Sequence, residues 1–193
     1  MNVIPLNLTQ HLDYIEKNNY KNVVDSIIGD MLMNKVKLVE GILKVNINNV
    51  VFNLIHEWYE IAVSLKKNEE NEKNNLKNII VYRGVYDMKE TEENILQPIP
   101  FSTSLLISSC YNWIENRDNS FIMKIHIPIK NLFTFIGNKN EGYEIVLSAG
   151  FLKKRMDKNN EISETYDNKK IIEYDFESID FLEMKNIIKN LNS

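Results

Sequence analysis

The 193-residue sequence has a single cysteine, Cys110, so no disulfide can close within the chain and a disulfide-built scaffold is excluded. No stretch reaches the roughly 20 uncharged apolar residues that a membrane-crossing helix requires, so no membrane span is expected. Its six glycines fall in neither the G-x-G-x-x-G nor the Walker spacing, which excludes Rossmann and P-loop phosphate cradles. The three histidines, His11, His56 and His126, are far apart and match no Cys/His ligand pattern, so no metal is expected. Basic charge is also in deficit. With 23 Lys and Arg against 27 Asp and Glu the formal net charge is −4, which argues against nucleic acid or an anionic membrane as the main partner.

What remains is an ordinary globular composition, 44% hydrophobic and 26% charged. The length suits one domain spanning 1–193, able to hide roughly 70% of the surface it exposes when unfolded. The first residues, Met1 to Leu6, lack a basic segment followed by an apolar core. No Sec signal is therefore expected, and the reading places the protein in a cytosol. A monomer is expected. Abundant Asn, Lys and Ile read as the nucleotide bias of an AT-rich genome.

Residues 1–78 read as helical. Leu8, Leu12 and Ile15, then Val23, Val24, Ile27, Ile28 and Met31, recur at three- and four-residue steps, and 50–65 is a densely apolar helix holding Phe52, Ile55, Trp58, Tyr59 and Val63. Residues 68–78 form a polar run that reads as a solvated helix end or loop. Residues 79–193 change character and read as mainly β. Strand patterns occur at 79–82, 101–104, 121–127, 133–136, 143–147 and 171–176, with an interposed helix at 105–114 and a closing helix at 181–191. That helix at 105–114 is expected to hold Leu106, Cys110, Trp113 and Ile114 near one face. Trp58 and Trp113 read as core, and 157–168 as a polar hairpin loop. Helices followed by short strands define an α+β class.

Three segments carry residue types suited to chemistry. Val81-Tyr82-Arg83-Gly84 ends a strand in a guanidinium, which binds phosphate bidentately, beside a glycine that admits a close approach to the backbone. An isolated arginine is more often a surface salt-bridge partner. Phe101-Ser102-Thr103-Ser104 offers short hydroxyls to a ribose or carboxylate, or equally a helix cap at Ser104. Glu144 opens the apolar strand Tyr143-Glu144-Ile145-Val146-Leu147 after a turn containing Glu141 and Gly142. A carboxylate there is costly to desolvate without partners, and reads either as functional or as an edge-strand charge.

Taken in order, these three segments resemble the Arg–Ser–Glu class of mono-ADP-ribosyltransferases, over roughly 79–151. The segment 121–128 is similar to the strand lying between the serine motif and the glutamate in those proteins. The resemblance implies helices on two small, mostly antiparallel sheets with a central NAD cleft. It implies NAD as co-substrate without metal, a protein acceptor, and an effector, toxin or phage setting, with delivery into a host cytosol as one route. It assigns Arg83 to the NAD diphosphate and the nicotinamide-side ribose, Ser102 to orienting the carboxylate, and Glu144 to the ribose 2′-hydroxyl and the cationic sugar. Gly84, Thr103 and Ser104 would support NAD binding, and Glu141 and Tyr143 would face the acceptor. Gly142 departs from the pattern, because arginine-modifying members carry a second Glu there and Rho-modifying exoenzymes a Gln. NAD glycohydrolysis, with water as acceptor, and a catalytically inactive NAD-fold binding module are the alternatives this leaves.

Overall fold

The structure, a computed structural model, describes residues 17, 36–39, 42–45, 49–70, 78–86, 93–128, 130–135, 143–155 and 164–191. The helical pattern of 8–31 lies outside the described residues, apart from Lys17, which is helical. Residues 36–45 correct the all-helical expectation for 1–78. Strand β1 (Val36–Val39) pairs antiparallel with β2 (Ile42–Val45) as a two-stranded sheet, with Val39 opposite Ile42. The signal was present in the sequence, since two β-branched runs flank a two-residue Glu40-Gly41 connection.

Helix α1 (Asn49–Glu70) covers the expected apolar block and runs on into the polar stretch. Its buried residues Ile55, Trp58, Tyr59, Ala62 and Leu65 form one stripe at helical spacing. After it come β3 (Asn78–Tyr86), β4 (Asn94–Gln97), β5 (Phe101–Ser104), α2 (Ile107–Ile114), β6 (Ser120–Pro128) and β7 (Phe133–Phe135). They are followed by β8 (Glu144–Leu147), β9 (Gly150–Lys154), β10 (Thr165–Tyr166), β11 (Lys169–Ser178) and α3 (Phe181–Leu191). The strands follow the order β4-β9-β11-β6-β3-β5-β8-β7, with β10 on β11. Among the described residues every pairing is antiparallel except β11 with β6. Within 157–168 the described part is β10 and the turn into β11. Asp167 and Asn168 there have φ of 46° and 67°, the two positive values that a tight hairpin turn requires.

These strands form a single hydrogen-bonded path rather than two separate sheets, and the path narrows sharply at one place. Between β3 and β5 the only register pair is Tyr82 with Ser104. The sheet folds over at this pinch. Phe101 on β5 and Phe176 on β11 are three strand positions apart, about 14 Å along a flat sheet, yet their ring centroids lie 5.8 Å apart. Residues from both halves therefore share one core, including Val81, Phe121, Ile125, Ile145, Leu147 and Tyr174. Burying side chains of this size contributes roughly 2 kcal/mol each.

Helices close the two outer sides. Helices α1 and α3 pack with Val146, Ile99 and Ile179 around Trp58, Met184 and Ile188. Trp58 Nε1 donates to the buried Thr134 Oγ1 at 2.9 Å, and the Tyr59 hydroxyl donates to the Ile179 carbonyl at 3.1 Å, which fixes α1 against β7 and the start of α3. Helix α2 lies on the opposite side, where Ile114 meets Ile122 and Ile171. Trp113 is a correction: it is 68% exposed, because the core-facing stripe of this short helix is Cys110 and Ile114. Among the described residues no helix is long and apolar enough to cross a membrane.

Candidate functional site

The pinch between β3 and β5 brings the three sequence motifs together. Arg83 directly follows Tyr82, whose pairing with Ser104 is the one register pair between those strands. On β3 its neighbours of the same parity, Ile79, Val81 and Val85, are buried, so the guanidinium emerges from an apolar row and is itself half-buried. Arg83 Nη1 donates to the Ser102 carbonyl at 2.9 Å, and its guanidinium carbon lies 5.1 Å from the centroid of the Phe101 ring. Burial lowers its pKa to about 10, against a smaller opposing effect of Cys110, so Arg83 stays a cation at neutral pH.

Glu144 begins β8 directly opposite Ser104, and Val146 lies opposite Ser102. Facing residues of an antiparallel pair share one side of the sheet, so Ser102 and Glu144 are diagonal neighbours on that side. The Ser102 hydroxyl donates to Glu144 Oε1. Two hydrogen bonds therefore join the three groups in series: guanidinium to the Ser102 carbonyl, and Ser102 hydroxyl to carboxylate. A cation and a carboxylate meet on one residue of a short strand, with that residue's hydroxyl fixing the carboxylate's orientation.

The surrounding residues divide into those that face the site and those that hold its walls. The Thr103 hydroxyl is buried and donates to the Ile145 carbonyl at 2.9 Å, locking β5 to β8. Ser104 does not cap α2 as expected. The N-cap position is Leu106, which makes no side-chain cap bond, and Ser104 Oγ accepts from the Leu106 N–H at 2.9 Å. The α2 helix starts two residues later than the apolar pattern at 105 suggested, because 104–106 forms this turn first. Gly84 also faces this helix. A Cβ there would lie 2.6 Å from the Cys110 carbonyl oxygen and 2.9 Å from Ile114 Cγ2, so the approach it permits is that of α2.

Tyr143 has a φ of 52°, a left-handed conformation that costs a bulky residue on the order of 1 kcal/mol. Two contacts hold it there: its ring stacks on Phe135 with centroids 6.4 Å apart, and its carbonyl accepts from the Leu105 N–H at 3.2 Å. This bend sets the direction in which Glu144 enters β8. Glu141 and Gly142 lie outside the described residues.

A second charged group, which the sequence reading passed over, centres on β6 and β11. Lys124 Nζ lies 2.9 Å from Glu173 and 3.0 Å from Glu164, and His126 Nε2 lies 2.7 Å from Glu173. Alternation of Lys124 with His126 and of Glu173 with Asp175 on paired strands was the available signal. His56 sits on α1 near Glu60, with its ring 4.5 Å from Phe181, and His11 lies outside the described residues. Among the described residues no cluster of three or more His, Cys, Asp or Glu is placed to hold a metal ion.

No protein-family model matches the sequence, and no curated protein matches it. Solved structures do. One is C3stau2 from S. aureus with NAD, at a TM-score of 0.52 and 11% identity, covering 93% of this chain and 99% of that one. Another is Plx2a, an ADP-ribosyltransferase toxin from Paenibacillus larvae, at a TM-score of 0.51 and 12% identity, covering 89% of this chain and 93% of that one. The fold is therefore that of the ADP-ribosyltransferase toxins.

Proposed function

We propose that this chain, carrying that fold, is a mono-ADP-ribosyltransferase that moves ADP-ribose from NAD to a protein acceptor and releases nicotinamide. The observation that carries the reading is the hydrogen-bonded series Arg83–Ser102–Glu144 at the sheet's pinch. Arg83 holds the diphosphate and the nicotinamide-side ribose. Its guanidinium has five N–H donors and turns Nη1 to a carbonyl, which leaves the fork suited to phosphate oxygens. Ser102 orients Glu144, and Glu144 accepts a hydrogen bond from the ribose 2′-hydroxyl. Thr103 and Ser104 keep β5 in place. Tyr143 and Glu141 precede the carboxylate on the side where the acceptor arrives.

The reaction breaks the bond between C1′ of the ribose and the pyridinium nitrogen, and the bonding electron pair leaves with neutral nicotinamide. Positive charge develops on C1′ and the ring oxygen. A carboxylate fixed in advance stabilises that charge without reorganising, an effect worth about a hundredfold to a thousandfold in rate for one well-placed group. The acceptor's nucleophile then bonds to C1′ and gives up a proton. No metal takes part. A chain acting this way works in a cytosol as an effector, toxin or phage enzyme.

Gly142 favours one second reading. A residue without a side chain two positions before Glu144 offers the acceptor nothing to bind, and water in its place makes the chain an NAD glycohydrolase. Incubation of the protein with labelled NAD and a cell lysate separates the readings. Transfer is expected to put label on a protein together with nicotinamide release, and Glu144→Ala to give neither. Released ADP-ribose with no labelled protein selects the hydrolase, and bound NAD with no product selects a binding module.

A further inference from the structure

Two contacts orient the Arg83 guanidinium, and consecutive residues of β5 supply both. The Ser102 carbonyl accepts from Nη1 at 2.9 Å, and the guanidinium carbon lies over the Phe101 ring, 5.1 Å from its centroid. The hydrogen bond alone would leave the group free to pivot about Nη1. A ring beneath its central carbon removes that freedom, and the ring's negative face attracts a cation that half-burial has stripped of part of its water. The ring is itself held on several sides. Phe101 is 0% exposed, lies opposite Leu147 on β8, and meets the Phe176 ring of β11 edge-on, at 5.8 Å and 75°. Strands from both sides of the fold-over therefore fix the platform under an arginine of β3.

Filling the core does not by itself call for an aromatic residue at 101. Leu147, directly opposite, fills the same core with an aliphatic side chain. What only a ring adds is a negative face for a cation. We propose that Phe101 is a positioning residue for dinucleotide binding: its ring holds the Arg83 guanidinium in the orientation that the Ser102 carbonyl sets, so that the phosphate-facing donors are ordered before NAD arrives. The inference rests on the reading of Arg83 as the group that holds the diphosphate. Ordering a long side chain in advance removes part of the entropy cost of binding, so its effect is read in affinity. Residues 101 and 102 then serve the site at three points, with the ring and the Ser102 carbonyl toward Arg83 and the Ser102 hydroxyl toward Glu144.

A double-substitution cycle on NAD affinity, read by calorimetric titration, tests this. Phe101→Leu keeps an apolar side chain and removes the ring, whereas Phe101→pentafluorophenylalanine keeps the ring's shape and reverses its charge distribution. Each is made alone and together with Arg83→Met, and urea unfolding fixes conditions in which every chain is folded. With Arg83 in place, both Phe101 substitutions are expected to raise the NAD dissociation constant about fivefold, the scale of a partly desolvated cation–ring contact. With Arg83→Met they are expected to change it by less than about twofold, because no cation remains for the ring to hold. Equal effects in the two backgrounds mean that Phe101 only fills the core, and overturn the inference. An unchanged affinity in Phe101→pentafluorophenylalanine overturns it too. If Phe101→Leu does not fold, the fluorinated variant carries the cycle alone. A different result sinks the reading beneath it: if Arg83→Met binds NAD as tightly as the wild-type chain, or the wild-type chain binds none, Arg83 holds no diphosphate and the inference falls with that reading.

Discussion

Two polar groups on the same curled sheet use charge in opposite ways. On β6, on β11 and just after β9, each basic side chain lies directly against a carboxylate: Lys124 on Glu173 at 2.9 Å, His126 on Glu173 at 2.7 Å, and Arg155 on Asp175 at 2.9 Å. At the pinch, a carbonyl and a hydroxyl of one serine stand between Arg83 and Glu144. The first arrangement neutralises charge and ties β6, β9 and β11 together. The second joins a cation and a carboxylate in series through one serine. Both groups are partly buried, so depth does not separate them. The difference lies in what each charge touches.

That contrast breaks if substitutions in the two groups have the same kind of effect. Arg83→Ala is expected to have the largest of these, raising the NAD dissociation constant about a hundredfold through loss of charge-assisted bonds to phosphate. Calorimetric titration checks it, and unaltered affinity removes the guanidinium from the site. Ser102→Ala follows, lowering kcat about tenfold with KM for NAD little changed, because the carboxylate stays but loses its orientation. Steady-state kinetics decide it. Glu173→Gln comes last, with turnover intact and stability reduced by about 1 kcal/mol, as for a partly exposed ion-pair network, read from urea unfolding.

The acid dependence sharpens the last point. Burial raises the Glu173 pKa, and the hydrogen bonds and charges of Lys124 and His126 outweigh it, so the folded carboxyl titrates below its ordinary value of 4.5. A carboxyl lowered on folding adds stability that is complete above its unfolded pKa and is lost as pH falls through the folded one. The stability gap between wild type and Glu173→Gln is therefore expected to be full at neutral pH and to close below about pH 4. Unfolding measured across that range checks it.

Much of the β half was legible in the sequence because its strands alternate. Residues 121–127 put Phe121, Met123, Ile125 and Ile127 on one face, and all four are buried in the shared core. The convergence of Arg83, Ser102 and Glu144 was legible from their order along the chain. The strands β4 and β9 were not, since Asn94–Gln97 and Gly150–Lys154 are short and mix polar with apolar side chains. The β1–β2 hairpin was missed although its pattern was present, because the helical spacing on either side dominated the reading. Two features were beyond local pattern altogether. The fold-over of the sheet depends on contacts such as Phe101 with Phe176, 75 residues apart, and the meaning of Gly84 depends on a helix that begins 23 residues later. Trp113 was misplaced because an eight-residue helix buries only a narrow stripe, and that stripe belongs to Cys110 and Ile114.

The central claim is that Glu144 acts on the transition state and not on the bound dinucleotide. Measuring kcat for nicotinamide release and the NAD dissociation constant on Glu144→Gln tests it most directly. The account predicts a kcat lowered by about a hundredfold to a thousandfold and an NAD affinity within about threefold of wild type. Retained turnover, or a loss of affinity as large as the loss of rate, would contradict it.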